Sequence, residues 1–215
     1  MRCESCLLCF VADPWTDFGA IYSKDYYEGN GVDPTVDYMF ELENPTITAR
    51  IYEWRGILAI VKSLIPVDEE TRWLDFGCGN GRLVSYCAEH TGCQAVGFEE
   101  GWIASKAKEK GIPVIDEPAL AELDGRFDVV TAIEVLEHTL APLETLRRIR
   151  KLLRPGGLFF YTTGNSERYR RNLLDWSYFL PEIHVSLFEP RTLEKALQCT
   201  GFRPEFRGFL PGHTD

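Results

Sequence analysis

Residues 72–82 read Arg72-Trp-Leu-Asp-Phe-Gly-Cys-Gly-Asn-Gly-Arg82. A short, mostly apolar strand runs into three alternate glycines, Gly77, Gly79 and Gly81. The next segment places Leu83, Val84, Cys87 and Ala88 on one helical face. Glycines at a strand-to-helix turn let the backbone take positive φ and come close to a ligand. A tight turn alone needs neither three glycines nor the carboxylate of Asp75 ahead of them. The stretch therefore reads as a nucleotide-cofactor loop at the carboxyl end of a sheet.

The alternation of strand and helix continues downstream. Gln94-Ala-Val-Gly-Phe98 is a second strand, followed by a helix to about Lys110. Ile112 to Ile115 is a third, and Phe127-Asp-Val-Val-Thr-Ala-Ile133 a fourth. Pro142 opens a helix carrying Leu143, Leu146, Ile149, Leu152 and Leu153, terminated by Pro155-Gly156-Gly157. Leu158 to Thr163 is a fifth strand, Pro190 to Thr200 a helix stopped by Gly201, and about Arg203 to Phe209 a last strand. Right-handed crossovers then give an α/β fold, a doubly wound, mostly parallel sheet covered on both faces. Upstream, Asn44 is a good N-cap and Pro45 suits a first helical turn. Ile47, Ile51, Trp54, Leu58, Val61 and Ile65 form one stripe, which predicts a leading helix over 44–66, ended by Pro66. The chain divides into an irregular, aromatic and acidic segment (1–43), this helix (44–66) and the α/β part (67–215).

With 215 residues the chain suffices for one such domain plus a small appendage. No apolar run approaches the ~20 residues of a membrane span. The longest near the start, Leu7 to Ala12, stops at Asp13-Pro14, which argues against a signal peptide. A formal net charge of −10 repels polyanions, so nucleic acid is not an expected partner. Seven cysteines without an export signal read as reduced thiols of a cytoplasmic protein. Cys78, Cys87, Cys93 and Cys199 sit among apolar neighbours and read as small core residues.

Two cofactor classes compete for the glycine loop. A dinucleotide site wants a third glycine where Arg82 stands, and Asp75 would repel a pyrophosphate. A ligand with an ammonium and a sulfonium, and no phosphate, explains the acid. The segment resembles motif I of the class I S-adenosylmethionine-dependent methyltransferases, and the resemblance continues in order over roughly residues 70–205. Val96-Gly97-Phe98-Glu99 resembles the end of the family's second strand, whose acid holds the ribose hydroxyls. That role falls to Glu99, with Glu100 as the fallback, and a carboxylate can accept from both hydroxyls. Asp116 either reaches the adenine amino group or is a solvated loop acid. Residues 127–138, ending Ile-Glu-Val-Leu-Glu-His138, resemble the fourth strand and its following loop, which adds Glu134 to the cofactor set. Leu152 to Phe160 and the segments from His184 and Ala196 resemble the stretches before the fifth strand and around the last helix. The resemblance thus implies S-adenosylmethionine as cofactor and Asp75, Gly77, Gly79, Gly81, Glu99, Asp116 and Glu134 as its binding set.

The chain also departs from that pattern. The family's final antiparallel strand is expected to be missing. Cys3 and Cys6, with Asp13-Pro14 and Asp25-Tyr-Tyr-Glu-Gly29, resemble the second half of the N-terminal zinc ribbon of a subset of these enzymes, as if the chain were cut, and Cys9 is extra. Three cysteines over seven residues do not close a tetrahedron by themselves, so free thiols and no bound metal are expected.

For the chemistry, imidazoles are the natural proton acceptors near neutral pH. His90 and His213 are poorly placed. His138 lies just after the fourth strand, at the ligand edge, and reads as either a base or a structural cap. His184 lies in a 26-residue connection, 164–189, much longer than the ~2–6 residues usual in an α/β unit. That connection holds Arg168, Arg170 and Arg171, then Trp176, Tyr178 and Phe179, which either wall a site or form a solvated face and core. The sequence has no Pro-Pro or Pro-Cys dipeptide, which removes the usual loops for methylating exocyclic amines in DNA and carbon 5 of cytosine. The expected acceptor is a small molecule, a sugar, polyketide or quinone-like intermediate. Methylation of protein or RNA, or cofactor binding without catalysis, are the alternatives. Neither the oligomeric state nor the methylated atom is legible.

Overall fold

The computed structural model describes residues 1–33 and 35–206. Strand β1 (Cys9–Phe10) and helix α1 (Phe18–Ile21) precede an irregular helical turn at Tyr26–Asn30 and helix α2 (Tyr38–Glu43). Next come α3 (Arg50–Leu64), β2 (Arg72–Phe76), α4 (Arg82–Thr91), β3 (Gln94–Phe98), α5 (Gly101–Glu109), β4 (Val114–Ile115) and α6 (Glu117–Ala121). The chain continues through β5 (Phe127–Ile133), α7 (Pro142–Leu152), β6 (Leu153–Thr162), β7 (Ser186–Leu187) and α8 (Pro190–Cys199). Five strands form one parallel sheet in the order β4-β3-β2-β5-β6. A doubly wound α/β fold is therefore what the chain adopts.

Alternation along the strands divides the core into two layers. Trp73, Ala95 and Val129 face α3, α4 and α5, where Trp54, Ile57, Val84, Cys87 and Ala107 are buried. Leu74, Val130 and Ala132 face the other way, onto Leu120, Ile149 and Leu152. The strand order reverses between β2 and β5, and in open α/β sheets ligands bind in the crevice at that switch point. Asp75 and Thr131 are register partners there.

Several expectations are corrected. The leading helix starts at Arg50 rather than at Pro45. Asn44 instead closes α2, its backbone N–H and its side-chain amide both donating to the Phe40 carbonyl. The turn that follows leaves Ile47 70% exposed, outside the apolar stripe. Strand β6 begins at Leu153 and carries Pro155-Gly156-Gly157 through an irregularity in its pairing with β5. Cys199 is exposed, not core, whereas Cys78, Cys87 and Cys93 are buried. No strand forms over 203–206, and residues 207–209 of that expected strand lie outside the described residues. Segment 1–43 is far from featureless. Its β1 pairs antiparallel with β7 of the long connection, and Tyr26, Tyr27 and Val36 are buried against Ile103 and Ile183. No described helix is long and apolar enough to cross a membrane.

Candidate functional site

The glycine loop leaves β2 with Gly77, Gly79 and Gly81 at φ values of 75°, 52° and 73°, which L side chains rarely adopt. A Cβ on Gly77 would lie 2.7 Å from a methyl of Val135, and one on Gly79 2.8 Å from the Tyr38 ring. The loop is thus a tight backbone cradle between the loop after β5 and the tyrosines of the N-terminal segment. Glu99, at the end of β3, turns its carboxylate into this cradle and accepts from Gly79 N and Glu100 N, both at 2.9 Å. Burial raises its pKa against the opposing pull of those two N–H groups.

Asp75 is 3% exposed. Burial pushes its carboxyl up to about 7, although Thr131 Oγ1 donates to it at 2.7 Å. No basic side chain is among the groups that shift it. A buried acid without a cation, beside a glycine cradle, suits a ligand bringing positive charge. The loop, the acid and Glu99 accordingly fit an ammonium and sulfonium ligand and not a pyrophosphate. The cavity beside them is about 50 Å³, lined by Tyr38, Glu41, Arg50, Asp75, Gly77 and Gly79 among others. Arg50 pairs there with the buried Glu41 at 2.9 Å, and Glu41 in turn accepts from Asn80.

Asp116 follows the end of β4, two strands from the glycine loop. It is exposed and its Oδ1 accepts from Ala119 N, capping α6. Glu134, just beyond β5, holds φ of +52°, a strained conformation for a non-glycine residue that clusters at functional sites. Its carboxyl group meets the Tyr178 hydroxyl, which also meets Glu137, so the phenol donates to one acid and accepts from the other in its protonated form.

The two candidate catalytic histidines, 46 positions apart in the chain, meet here, with ring centroids 4.8 Å apart and edge to face. His138 sits in a short 3-10 turn, Leu136–His138, with Tyr22 Oη 2.9 Å from its Nδ1 and a backbone hydrogen bond to Ile183 on its other side. The Ile183 contact favours the protonated ring, as a carbonyl accepting a ring N–H does, so Nε2 carries the proton and Nδ1 accepts from the Tyr22 hydroxyl. Burial first, and the neighbouring His184 second, push His138 down to about 3, so the ring is neutral at physiological pH. His184 is 3% exposed. Its Nδ1 faces the Tyr178 carbonyl at 2.6 Å, and a nitrogen in that position must carry the proton. Its Nε2 is therefore the lone-pair nitrogen. Tyr178 stacks on it at 4.2 Å, and Trp176 and Tyr169 continue the stack. Gly164 makes room for this wall, since a Cβ there would meet Tyr178 at 2.3 Å.

Glu137, Glu134's neighbour in this cluster, is 1% exposed, accepts from Thr163 Oγ1 at 2.8 Å and meets the Tyr178 hydroxyl. Burial and the Glu134 carboxylate raise its pKa, so the pair favours holding a proton. Glu137, His138 and His184 bring potential metal-ligand atoms within 4.8 Å of one another. Both oxygens of Glu137 and both nitrogens of His138 already have hydrogen-bond partners. The group is built as a hydrogen-bonded network, and a metal would have to break it.

The arginines of the long connection divide. Arg170, with Arg2, is tied to the buried Glu189 and fastens the N-terminus to α8, so it does not wall the site. Trp176 and Tyr178 do, while Phe179 lines a separate apolar cavity with Phe10 and Leu187. Cys9 is buried in β1, and Cys3 and Cys6 are half-exposed. Sequence reasoning missed Tyr22, Tyr38 and Thr131 as partners of the site, whereas Tyr178 was named with Trp176 as wall or core. The cluster of tyrosines in 22–38 was the available signal.

Comparison with known proteins adds the following. A family model described as a methyltransferase domain matches residues 48–205. The chain is 32% identical to a ubiquinone biosynthesis O-methyltransferase of Rhizobium etli, over 62% of this chain and 60% of that protein. It is 42% identical to one from Caulobacter vibrioides, over 43% of this chain and 40% of the relative. The chain thus spans about 40–60% of the length of these relatives. In fold it is similar to an S-adenosylmethionine-dependent methyltransferase structure from Archaeoglobus fulgidus, with a TM-score of 0.55 and 23% identity over 78% of this chain and 75% of that one.

Proposed function

Because the chain belongs to the methyltransferase-domain family, with the class I fold and S-adenosylmethionine as cofactor, we propose that it methylates a hydroxyl of a quinone-like, phenolic small molecule. The single observation that carries the acceptor class is the phenol–imidazole contact at His138: Nδ1 accepts from a phenolic O–H while the Ile183 backbone holds the opposite side of the ring. The names of the relatives point the same way.

In this reading Gly77, Gly79, Gly81, Asp75 and Glu99 hold the cofactor, Glu99 through the ribose hydroxyls and Asp75 by its charge. When bound, the cofactor supplies a methyl group on a sulfonium. The chain's remaining tasks are to align the acceptor oxygen and to receive its proton. His138 Nδ1 takes that proton, the Ile183 carbonyl stabilises the imidazolium through Nε2–H, and His184 lies beside it as a second neutral imidazole. Trp176 and Tyr178 offer an aromatic wall for a planar acceptor.

The test is turnover with labelled S-adenosylmethionine and a panel of catechols, hydroquinones and aliphatic alcohols. Methyl ethers of the phenols are expected. Methylation of the aliphatic alcohols alone would overturn the acceptor class. For the cofactor set, Glu99→Ala should weaken S-adenosylhomocysteine in calorimetry by roughly 1–3 kcal/mol, as the ribose bonds and the tie to Gly79 are lost. Tighter binding of NAD than of S-adenosylhomocysteine would contradict the assignment of the loop.

A further inference from the structure

Segment 18–31 touches both halves of the site at once. Tyr22 donates to His138 Nδ1 on the acceptor side. Tyr27 stacks on Trp102 of α5 at 6.1 Å and meets Tyr38 edge-on at 5.6 Å, and Tyr38 lies on Gly79. The segment is held down by the packing of Ile21, Tyr26 and Tyr27 with Ile103 and Ile183 and by the Tyr22–His138 bond. The cavity by the glycine loop is about 50 Å³ and is lined by Tyr38, the ring that Tyr27 meets.

The chemistry of the Tyr22 contact says more than that. The ring of His138 is bonded through Ile183 on one side, which leaves Nδ1 as the position from which a proton can be taken. A neutral phenol of the protein's own fills that position in hydrogen-bond geometry. A second phenol cannot donate to the same lone pair.

We infer that Tyr22 is a tethered occupant of the acceptor's place on His138, and that a phenolic acceptor binds by displacing it together with segment 18–31. The inference rests on the methyl-acceptor reading above.

The test uses the full chain, wild type and Tyr22→Phe, with catechol as probe and its dimethyl ether as control. Tyr22→Phe keeps the ring and removes the competing hydroxyl. It should bind catechol about fivefold more tightly, the ratio that one ordinary hydrogen bond carries, with the ether nearly unchanged. In the wild-type chain alone, saturating catechol should speed amide hydrogen exchange across 18–31, a readout that stands even if the variant folds poorly. Equal or weaker catechol binding by Tyr22→Phe, or catechol binding with unchanged exchange, would overturn the inference while leaving the acceptor class intact. If neither chain binds catechol although both bind S-adenosylhomocysteine, the acceptor reading fails and the inference with it.

Discussion

His138→Ala should lower turnover on a phenolic acceptor by about 100-fold or more, the usual weight of a positioned base, while S-adenosylhomocysteine affinity stays nearly unchanged. The geometry is why the two should separate. His138 bonds Tyr22 and Ile183 and has no bond to the glycine loop or to Glu99. Loss of the Tyr22 bond should also loosen segment 18–31, so turnover is to be expressed per folded molecule and the melting temperature measured beside it. A large loss of stability with turnover within about threefold of wild type would make His138 a structural residue. The proton acceptor would then be sought at Nε2 of His184, and His184→Ala would become the decisive variant.

Asp75→Asn should stabilise the fold and weaken the cofactor. The folded-state pKa of Asp75 is raised from 3.8 to about 7 by burial, so the folded chain keeps a proton that the unfolded chain loses. Stability is therefore lost as pH rises from about 4 to about 7, and the whole penalty is present above that window. Three units at ~1.4 kcal/mol each put the penalty near 4 kcal/mol at most. The uncharged amide keeps an oxygen for Thr131 Oγ1 and removes the penalty. At pH 8 the variant should melt several degrees above wild type, given ~2–4 °C per kcal/mol for a chain of this size, and the gain should vanish near pH 4. Cofactor affinity should fall by about 1.5–3 kcal/mol with the lost charge. A variant that is less stable at pH 8, or a gain independent of pH, would refute this account of Asp75.

The two predictions divide the site along the line between what was readable and what was not. Asp75 and the three glycines lie within seven residues of one another, and local spacing alone identifies a strand, a positive-φ turn and a helix. Glu99 was assigned through the resemblance of Val96-Gly97-Phe98-Glu99 to the family's second strand, and its carboxylate lies against Gly79 N because that strand pairs with β2. Asp116, left open between the adenine and a solvated loop, caps α6 by accepting from Ala119 N. The leading helix was misplaced because Asn44 had two possible helices to serve and closed the earlier one.

The sequence by itself determined the parallel α/β fold, the glycine cradle with its acid, the carboxylate that ends the neighbouring strand and two histidines worth testing. Those features are local or periodic, because backbone φ, strand alternation and helical faces are set by residues a few positions apart. Only the tertiary structure decided that His138 and His184 share one site, that Tyr178 bridges Glu134 and Glu137, and that Tyr22 occupies His138. The Tyr22–His138 contact spans 116 positions, and the Arg2–Glu189 tie that helps place β1 beside β7 spans 187. No spacing rule encodes such contacts. They arise because an aromatic segment with no core of its own buries its rings where the sheet's carboxyl edge is open, and the hydroxyls it carries in must find partners there.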